Sequence, residues 1–245
     1  MTRGKLIGFG LLATLAMALC VRLGFWQLDR LKQRQAQNRV VGDRGSMPSL
    51  SLADLHGQDT TVTHWRHVRV QAVADYANEA IHATRSQGGS PGVHLLTPIT
   101  PLDGSWGDTA ILLVRGYIYS PNARTIDYDK ARESDTLTME ALVLSYPPVR
   151  EGRATLPSDP RAVRLLDHDT LTRIVGRPLA PFLLLALGDT VMRDITRPTR
   201  IPPPSPGEGP HRSYAIQWFS FAAVFLVGFV AVARSRGGKR SYEGL

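Results

Sequence analysis

The sequence predicts a membrane protein in which two transmembrane α-helices, one near each end, flank one β-rich α+β domain outside the cytoplasm. The 16 residues from Leu6 to Val21 and the 20 residues from Tyr214 to Ala233 carry no charge, and about 20 apolar residues can cross a bilayer as a helix. Between them, short β-rich segments alternate with Gly, Pro, Asp or Asn clusters. This pattern favours a mainly antiparallel sheet or a partly closed barrel.

Six parts follow from this division. They are a cytoplasmic N-terminus (1–5), a first transmembrane helix (6–28), the β-rich domain (29–197), a proline-rich connector (198–213), a second transmembrane helix (214–233) and a basic cytoplasmic tail (234–245). A basic start before an apolar run is also typical of a cleaved signal peptide, but Ala18, Leu19 and Cys20 lack the small residue wanted directly before a cleavage site. We therefore expect the first run to remain as an anchor.

The basic residues beside the second run indicate its orientation. Four of them follow the run, namely Arg234, Arg236, Lys239 and Arg240. Positive residues favour the cytoplasmic side, so the C-terminus is expected there, and two spans return the N-terminus to the same side. Arg30 and Lys32 follow the first run and conflict mildly with this orientation, but a long domain can be translocated regardless of its charge. A bacterial-type plasma (inner) membrane is the expected location.

Most of the net charge of +8 lies in the two ends of the chain and not in the central domain. A basic surface for nucleic acid is therefore not expected. Cys20 is the only cysteine in the sequence, so neither a disulfide within the chain nor a CxxC motif is possible.

Six segments of the central region are predicted as strands. They are Trp65–Ala74, Ala80–Thr84, Val93–Ile99, Ala110–Ile118, Thr136–Ser145 and Pro181–Leu187. One helix is predicted near the end of the domain, where Asp167 can cap the first turn and Gly176 and Pro178 end it. Residues 198–210 are rich in proline and are expected to form an extended connector.

The sequence Gly-Gly-Ser-Pro-Gly at 88–92 matches the G-x-S-x-G motif of serine hydrolases. In that motif the residue after the serine donates its N–H to the oxyanion, and Pro91 has no N–H to donate. A turn between strands is the stronger interpretation, and a hydrolase that uses Ser90 is the weaker alternative. We expect a protein that is not an enzyme.

Three groups of polar residues have the side-chain types of metal or catalytic sites. They are His64 with His67, the Asp167–Asp169 cluster with His168, and the acidic run Asp127, Asp129, Glu133 and Asp135. The first pair would face opposite sides of a strand, and the second group lies where carboxylates cap a helix. The acidic run is expected to be a solvated loop, so no metal or catalytic site is predicted.

The membrane edges carry two clusters of aromatic and polar residues. Trp26, Gln27 and Arg30 follow the first run, and His211, Tyr214, Gln217 and Trp218 open the second. If both runs cross the membrane, the two clusters lie at the same outer interface. The aromatic residues are typical of an interfacial belt, whereas a glutamine near hydrocarbon needs a hydrogen-bond partner on the other helix or on a partner chain.

At these residues the sequence resembles the surfeit locus protein 1 family, membrane factors that assist assembly of haem-copper cytochrome c oxidase. The first cluster resembles the family's L-G-x-W-Q-L-x-R motif, with Leu23, Gly24, Trp26, Gln27, Leu28 and Arg30. The centre resembles its T-P and L-V-x-R-G elements, with His94, Thr97 and Pro98, then Leu113, Val114, Arg115 and Gly116. The second cluster resembles H-x-x-Y-A-x-Q-W-F, with His211, Tyr214, Ala215, Gln217, Trp218 and Phe219. Tyr117 departs from the tryptophan that is usual in the central motif, and Gly209 and Pro210 replace polar residues.

The resemblance implies non-enzymatic assistance to the oxidase's catalytic subunit, together with haem a biosynthesis proteins, by binding or handing over haem a. His211 is then the candidate axial ligand, and Arg212 or Arg30 could pair with the propionates. Trp26, Gln27, Arg30, Arg115, Gly116, Tyr214, Gln217 and Trp218 are the candidate partner or membrane-interface residues. The alternatives are a histidine that only hydrogen-bonds at the helix start, and a structural scaffold of another cell-envelope complex.

Overall fold

A computed structural model describes residues 3–148, 155–156, 159–204 and 207–237. The chain forms two compact units, which we call the helix unit and the barrel unit. The helix unit takes both ends of the chain, Met1–Val41 and Pro206–Leu245, and the barrel unit takes Gly42–Ser205.

The elements follow one another with these bounds. The helices are α1 (Arg3–Gly45), α2 (Thr60–Thr63), α3 (His168–Val175) and α4 (His211–Gly237). The strands are β1 (Leu50–Ser51), β2 (His67–Ala74), β3 (Ala80–Gln87), β4 (Ser90–Pro101), β5 (Ala110–Tyr119), β6 (Thr136–Ser145), β7 (Thr155–Leu156), β8 (Asp159–Val163) and β9 (Leu179–Ala186).

The two long helices, α1 and α4, are each long and apolar enough to cross a membrane, as the sequence predicts. Helix α1 does not end near Leu28, where we expected the β-rich domain to begin, but continues to Gly45. Residues 29–41 consist largely of Leu, Lys, Arg, Gln and Ala, which favour helix, and contain neither Gly nor Pro. The expected boundary at 28/29 therefore falls inside a helix.

Small residues bring α1 and α4 together. Cys20 on α1 and Ala215 and Ala222 on α4 are buried. A Cβ at Gly24 would lie 2.6 Å from the Phe219 ring, so the glycine leaves the space that this ring fills. Close approach through small residues is the usual way in which membrane helices pack, since lipid supplies no hydrophobic drive between them.

Five strands of the barrel unit close into a barrel. The sheet runs β1-β2-β6-β9-β5-β4-β3-β8-β7, and an additional pairing of β2 with β4 closes the ring of β2, β6, β9, β5 and β4. Most pairings in this ring are antiparallel, and β5 with β9 is parallel. The expectation of a barrel with mainly antiparallel strands is confirmed.

Alternation along the strands separates two apolar layers. One layer fills the barrel with side chains from all five ring strands, among them Val70, Ile99, Leu113, Val143 and Phe182. The other layer covers the outer face of β5 and β9 and packs against Leu171 and Val175 of α3. Because β5 has both faces covered, its residues from Ala110 to Ile118 are buried without a break.

All six predicted strands are present, and so is the predicted helix. The Asp167 side chain accepts a hydrogen bond from the Thr170 N–H, and Gly176 ends α3 with a positive φ of 76°. Gly88 and Gly89 form the turn between β3 and β4, so the interpretation of the G-x-S-x-G match as a turn is confirmed. The short strands β1, β7 and β8 were not predicted, because two to five residues carry too little alternation to be recognised.

The predicted connector is not a free linker throughout. Thr199 exchanges two backbone hydrogen bonds of 2.8 Å with Tyr117 on β5 and so forms an antiparallel bridge. A Cβ at Gly116 would lie 2.7 Å from the Thr199 carbonyl oxygen, which explains why a glycine precedes Tyr117. We call residues 198–201 the strap; it belongs to the barrel unit.

Candidate functional site

In the helix unit, His211 and Gln27 meet where the two membrane-edge clusters come together. His211 Nδ1 lies 2.8 Å from Gln27 Oε1. An amide oxygen can only accept, so Nδ1 carries the hydrogen and donates it. In the neutral ring, Nε2 then holds the lone pair. Of the two partners expected for Gln27, the other helix or a partner chain, the structure shows a residue of the other helix.

Two further hydrogen bonds continue this polar contact along α1. Arg34 Nε donates to the Gly207 carbonyl oxygen at 2.9 Å, and Gln35 Nε2 donates to Glu208 Oε1 at 2.8 Å. The residues that lead into α4 are thus fixed against the part of α1 that follows its apolar run. The histidine at the start of α4 has a defined position as a result.

His211 itself is half-buried, and the space beside its ring is kept by a glycine. A Cβ at Gly209 would lie 3.5 Å from His211 Nε2, and Gly209 has a φ of +68° that favours glycine. A side chain at position 209 would contact Nε2 of His211, the ring nitrogen that holds the lone pair. Gly209 therefore places no side chain against this edge of the imidazole.

The other predicted residues of the helix unit are at or near its surface. Trp26 and Tyr214 are exposed, and the Arg30 guanidinium lies 5.6 Å from the Trp26 ring centre. Arg212 is exposed and makes no hydrogen bond or ion pair within the described residues. Trp218 is half-buried and packs edge-to-face with Phe221.

Gln217 behaves differently from Gln27. Its side chain is exposed, and it makes no hydrogen bond to another described residue. The bond to α1 that we considered for Gln217 is therefore absent from the described structure. A bond to a partner chain stays a prediction.

In the barrel unit, Arg115 is fully buried and forms an ion-pair network. Its Nη2 lies 2.8 Å from Glu79 Oε1, and its Nη1 lies 3.0 Å from Glu133 Oε2. The Thr97 hydroxyl donates to Glu79 and accepts from Arg115 Nε. A side chain with no exposed surface cannot contact a partner, so the prediction that Arg115 belongs to an interface is wrong. Gly116, buried under the strap, also has an internal role.

A β-bulge directs Arg115 toward these partners. Leu95 pairs with Gly116 and Leu96 pairs with Val114, which leaves Arg115 as the extra residue on β5. Bulges of this kind redirect one side chain out of the regular alternation. These contacts explain the Arg-Gly pair of the central motif. The bulge directs the Arg115 side chain to its carboxylates, and the close approach of the strap leaves no room for a side chain at Gly116.

Glu133 connects this network to the strap. Arg200 Nη2 lies 2.9 Å from Glu133 Oε1, and Arg200 Nη1 donates to the Arg115 carbonyl oxygen at 2.7 Å. Burial acts to raise the pKa of Glu133, but the hydrogen bonds and charges of Arg200 and then Arg115 outweigh it, and the net pKa is lowered. The expectation that Glu133 belongs to a solvated loop is therefore wrong, whereas Asp127, Asp129 and Asp135 are exposed as expected.

Glu79 and Arg200 were missed as members of the network. One signal was present in the sequence: an arginine inside the apolar run from Ala110 to Ile118 has to be paired if that strand is buried. The sequence does not say which carboxylates pair with it. The two carboxylates, Glu133 and Glu79, lie 18 and 36 residues away from Arg115 in the sequence.

Two histidines, His82 buried and His94 half-buried, lie opposite each other on β3 and β4. His82 and His94 are cross-strand partners with ring centres 5.8 Å apart, and His82 Nε2 lies 3.1 Å from the Arg164 carbonyl oxygen. Burial lowers the pKa of His94 to about 3, helped by the charges of His82 and Arg85, and burial lowers the pKa of His82 to about 4. Both rings are therefore neutral at physiological pH.

His64 and His168 have local roles in the barrel unit. His64 Nδ1 accepts a hydrogen bond of 2.9 Å from the Ser145 N–H, and His168 lies in the first turn of α3. Within the described residues no group of three or more His, Cys, Asp or Glu side chains could hold a metal ion.

Together these features define a class: a membrane protein with two candidate spanning helices that flank a closed five-stranded barrel. A model of the SURF1 family matches residues 14–223, so this chain belongs to the surfeit locus protein 1 (SURF1) family. A SURF1-like protein of Rickettsia felis is 25% identical over 233 residues, which cover 92% of this chain and 96% of that protein. SURF1-like proteins of Rickettsia conorii (25% identity, 91% and 90% coverage) and Rickettsia bellii (26%, 89% and 87%) are also similar.

Proposed function

We propose that this protein is a non-enzymatic assembly factor for haem-copper cytochrome c oxidase, and that it binds or hands over haem a to the catalytic subunit with His211 as an axial ligand. Membership of the SURF1 family supports the first part. The observation that carries the second is the 2.8 Å contact between His211 Nδ1 and Gln27 Oε1.

The donor set suits haem iron. Histidines that ligate a metal usually donate their second ring nitrogen to an oxygen acceptor, which fixes the tautomer and the ring orientation. Gln27 is placed to accept this hydrogen bond, and Gly209 puts no side chain against Nε2. The exposed guanidinium groups of Arg212 and Arg30 can bind propionate carboxylates. The haem supplies an iron that accepts nitrogen, and the chain supplies a held imidazole and positive charge.

We also propose that the protein lies in a bacterial-type inner membrane with both termini in the cytoplasm. The basic residues after the second apolar run support this orientation. It would bring the catalytic subunit of the oxidase and haem a biosynthesis proteins within reach at the outer membrane edge. Protease cleavage of the barrel unit in spheroplasts, compared with inverted vesicles, tests the orientation.

Deletion of the gene tests the assembly role. Oxidase activity and the haem a content of the catalytic subunit are expected to fall together, since both depend on cofactor insertion. A structural scaffold of another envelope complex would leave both unchanged, and that result would overturn the proposal.

The purified full-length protein tests the ligand role. After co-expression with the haem a pathway, the wild-type protein is expected to show a haem a absorption spectrum, and His211→Ala is expected to lose it. His56→Ala, which changes an exposed histidine of the barrel unit, is the matched control and should keep the spectrum. An unchanged spectrum in His211→Ala would rule out axial ligation by His211.

A further inference from the structure

Arg22 interrupts the apolar part of α1. The 16 uncharged residues before it give about 24 Å of helix at 1.5 Å per residue, whereas the hydrocarbon core is about 30 Å thick. The next charged residue after Arg22 is Asp29, so the run from Leu6 to Leu28 contains one charge in 23 residues. A span long enough to cross the core therefore includes Arg22 or brings it to the core boundary.

Arg22 points away from α4. Successive residues turn by about 100° around a helix, so Arg22 lies about 200° from Gly24, which packs against Phe219. Cys20, Gly24 and Gln27 on the facing side are buried, and Arg22 is exposed. Arg22 makes no hydrogen bond or ion pair within the described part of the chain. The guanidinium thus lacks a described counter-charge in its own unit.

The direction of the side chain disfavours a lipid phosphate as partner. The Cα–Cβ bond of a helical residue tilts toward the N-terminus of its helix. For Arg22 this direction leads into the 16-residue apolar run, away from Trp26 and the polar contact at Gln27. To reach a headgroup beside Trp26, about 6 Å along the helix toward its C-terminus, the guanidinium would have to bend against this direction.

A carboxylate of a group bound at His211 is also a poor partner. Gln27, which holds His211, lies on the α4-facing side of α1, and Arg22 lies on a different side. The counter-charge for Arg22 must therefore approach the outer face of α1. We define this outer face by Leu15, Leu19, Arg22 and Trp26, all of which are exposed.

We propose that Arg22 forms an ion pair with an Asp or Glu carboxylate on a transmembrane helix of a partner protein that packs on the outer face of α1. An unpaired guanidinium in hydrocarbon is costly, and arginine binds a carboxylate through two parallel hydrogen bonds. Leu15 and Leu19, 69% and 56% exposed, offer apolar contact beside the charge. The proposal is independent of haem binding and goes beyond the proposed function.

Photo-crosslinking in intact membranes tests this contact. A benzoylphenylalanine placed at Leu19 of the full-length protein keeps Arg22 and lies on the same face. Irradiation is expected to give an adduct with a membrane protein, mapped by mass spectrometry to a spanning segment that contains Asp or Glu. Arg22→Leu is expected to reduce this adduct about tenfold, the effect of about 1.4 kcal/mol of binding energy. The same probe at Val224, exposed on α4, is the control whose adducts should not depend on Arg22.

A charge exchange completes the test. Arg22→Asp should lose the adduct, and replacing the mapped carboxylate by arginine should restore it. Adducts with lipid alone, adducts on segments without a carboxylate, or an adduct unchanged in Arg22→Leu would each overturn the proposal. Arg22→Leu should accumulate to wild-type levels, because it removes a charge from an apolar helix. Its haem a spectrum is a separate readout, so failure here is distinguishable from failure of the His211 assignment.

Discussion

The barrel unit and the helix unit differ in whether certain charged and polar side chains find partners within the same unit. In the barrel, Arg115 is buried and its guanidinium is bound by Glu79, Glu133 and Thr97. In the helix unit Gln27 is bonded to His211 and Gln35 to Glu208, whereas Arg22 and Gln217 are exposed and have no partner within the described residues.

This difference indicates which side chains stabilise the fold and which are able to bind a partner. A fully paired charge inside the barrel can contribute to folding but has no surface to offer a partner. An unpaired polar group on a membrane-spanning face gains most from a partner, because lipid supplies no hydrogen bonds. We therefore expect partner contacts on the helix unit and a structural role for the Arg115 network in the barrel unit.

The largest effect is expected from Arg115→Met, which breaks the barrel network. The change leaves Glu79 buried without its cation, and loss of one partner of a buried pair costs about 3–5 kcal/mol. Denaturant unfolding of the full-length protein in detergent measures the loss. Arg132→Met is the control, because its pair with Asp135 is exposed and contributes at most about 1 kcal/mol. Equal losses in the two variants would contradict a structural role for the Arg115 network.

A smaller, pH-dependent effect is expected from His94→Gln. The pKa of His94 in the folded protein is about 3, below its ordinary value of 6.5. Between these values the unfolded chain binds more protons, so the free energy of unfolding falls as the pH falls below 6.5. The slope is about 1.4 kcal/mol per pH unit for a fully titrating histidine.

Unfolding measured between pH 5 and pH 6.5 tests this prediction, a range above the ordinary pKa of 4.5 for Glu133. His94→Gln is expected to reduce the slope and to leave the part that His82 contributes, and His56→Gln, on an exposed histidine, is expected to leave the slope unchanged. A slope that His94→Gln does not alter would show that the folded barrel does not lower the pKa of His94.

The smallest effect is expected from Gln27→Leu in the helix unit. Loss of the bond to His211 should destabilise the helix pair by about 0.6–1 kcal/mol, the usual contribution of an interhelical hydrogen bond. Unfolding in mixed detergent micelles measures it. Gln217→Leu is the matched control and should cost nothing within the isolated protein, since Gln217 has no described partner. Equal destabilisation by both would remove the distinction between the two glutamines.

Part of the candidate site could be predicted from the sequence. The motif clusters around Trp26 and Tyr214 indicated that the two helix ends meet, and the contact of Gln27 with His211 bears this out. The role of Arg115 was predicted wrongly, since a motif shows that an arginine is required but not whether its head is buried. The prediction for Glu133 was also wrong. The other three acidic residues in its run are exposed, and nothing in the sequence of the run distinguishes Glu133 from them.

The sequence by itself determined the two apolar helices, the six main strands and the capped helix α3, because hydrophobic periodicity and end signals are local properties of the chain. The tertiary structure alone decided the closure of the barrel by β2 and β4, the partners of Arg115 and the attachment of the strap at Tyr117. These features join residues far apart in the chain. Their energies depend on burial and mutual geometry, which no short segment encodes.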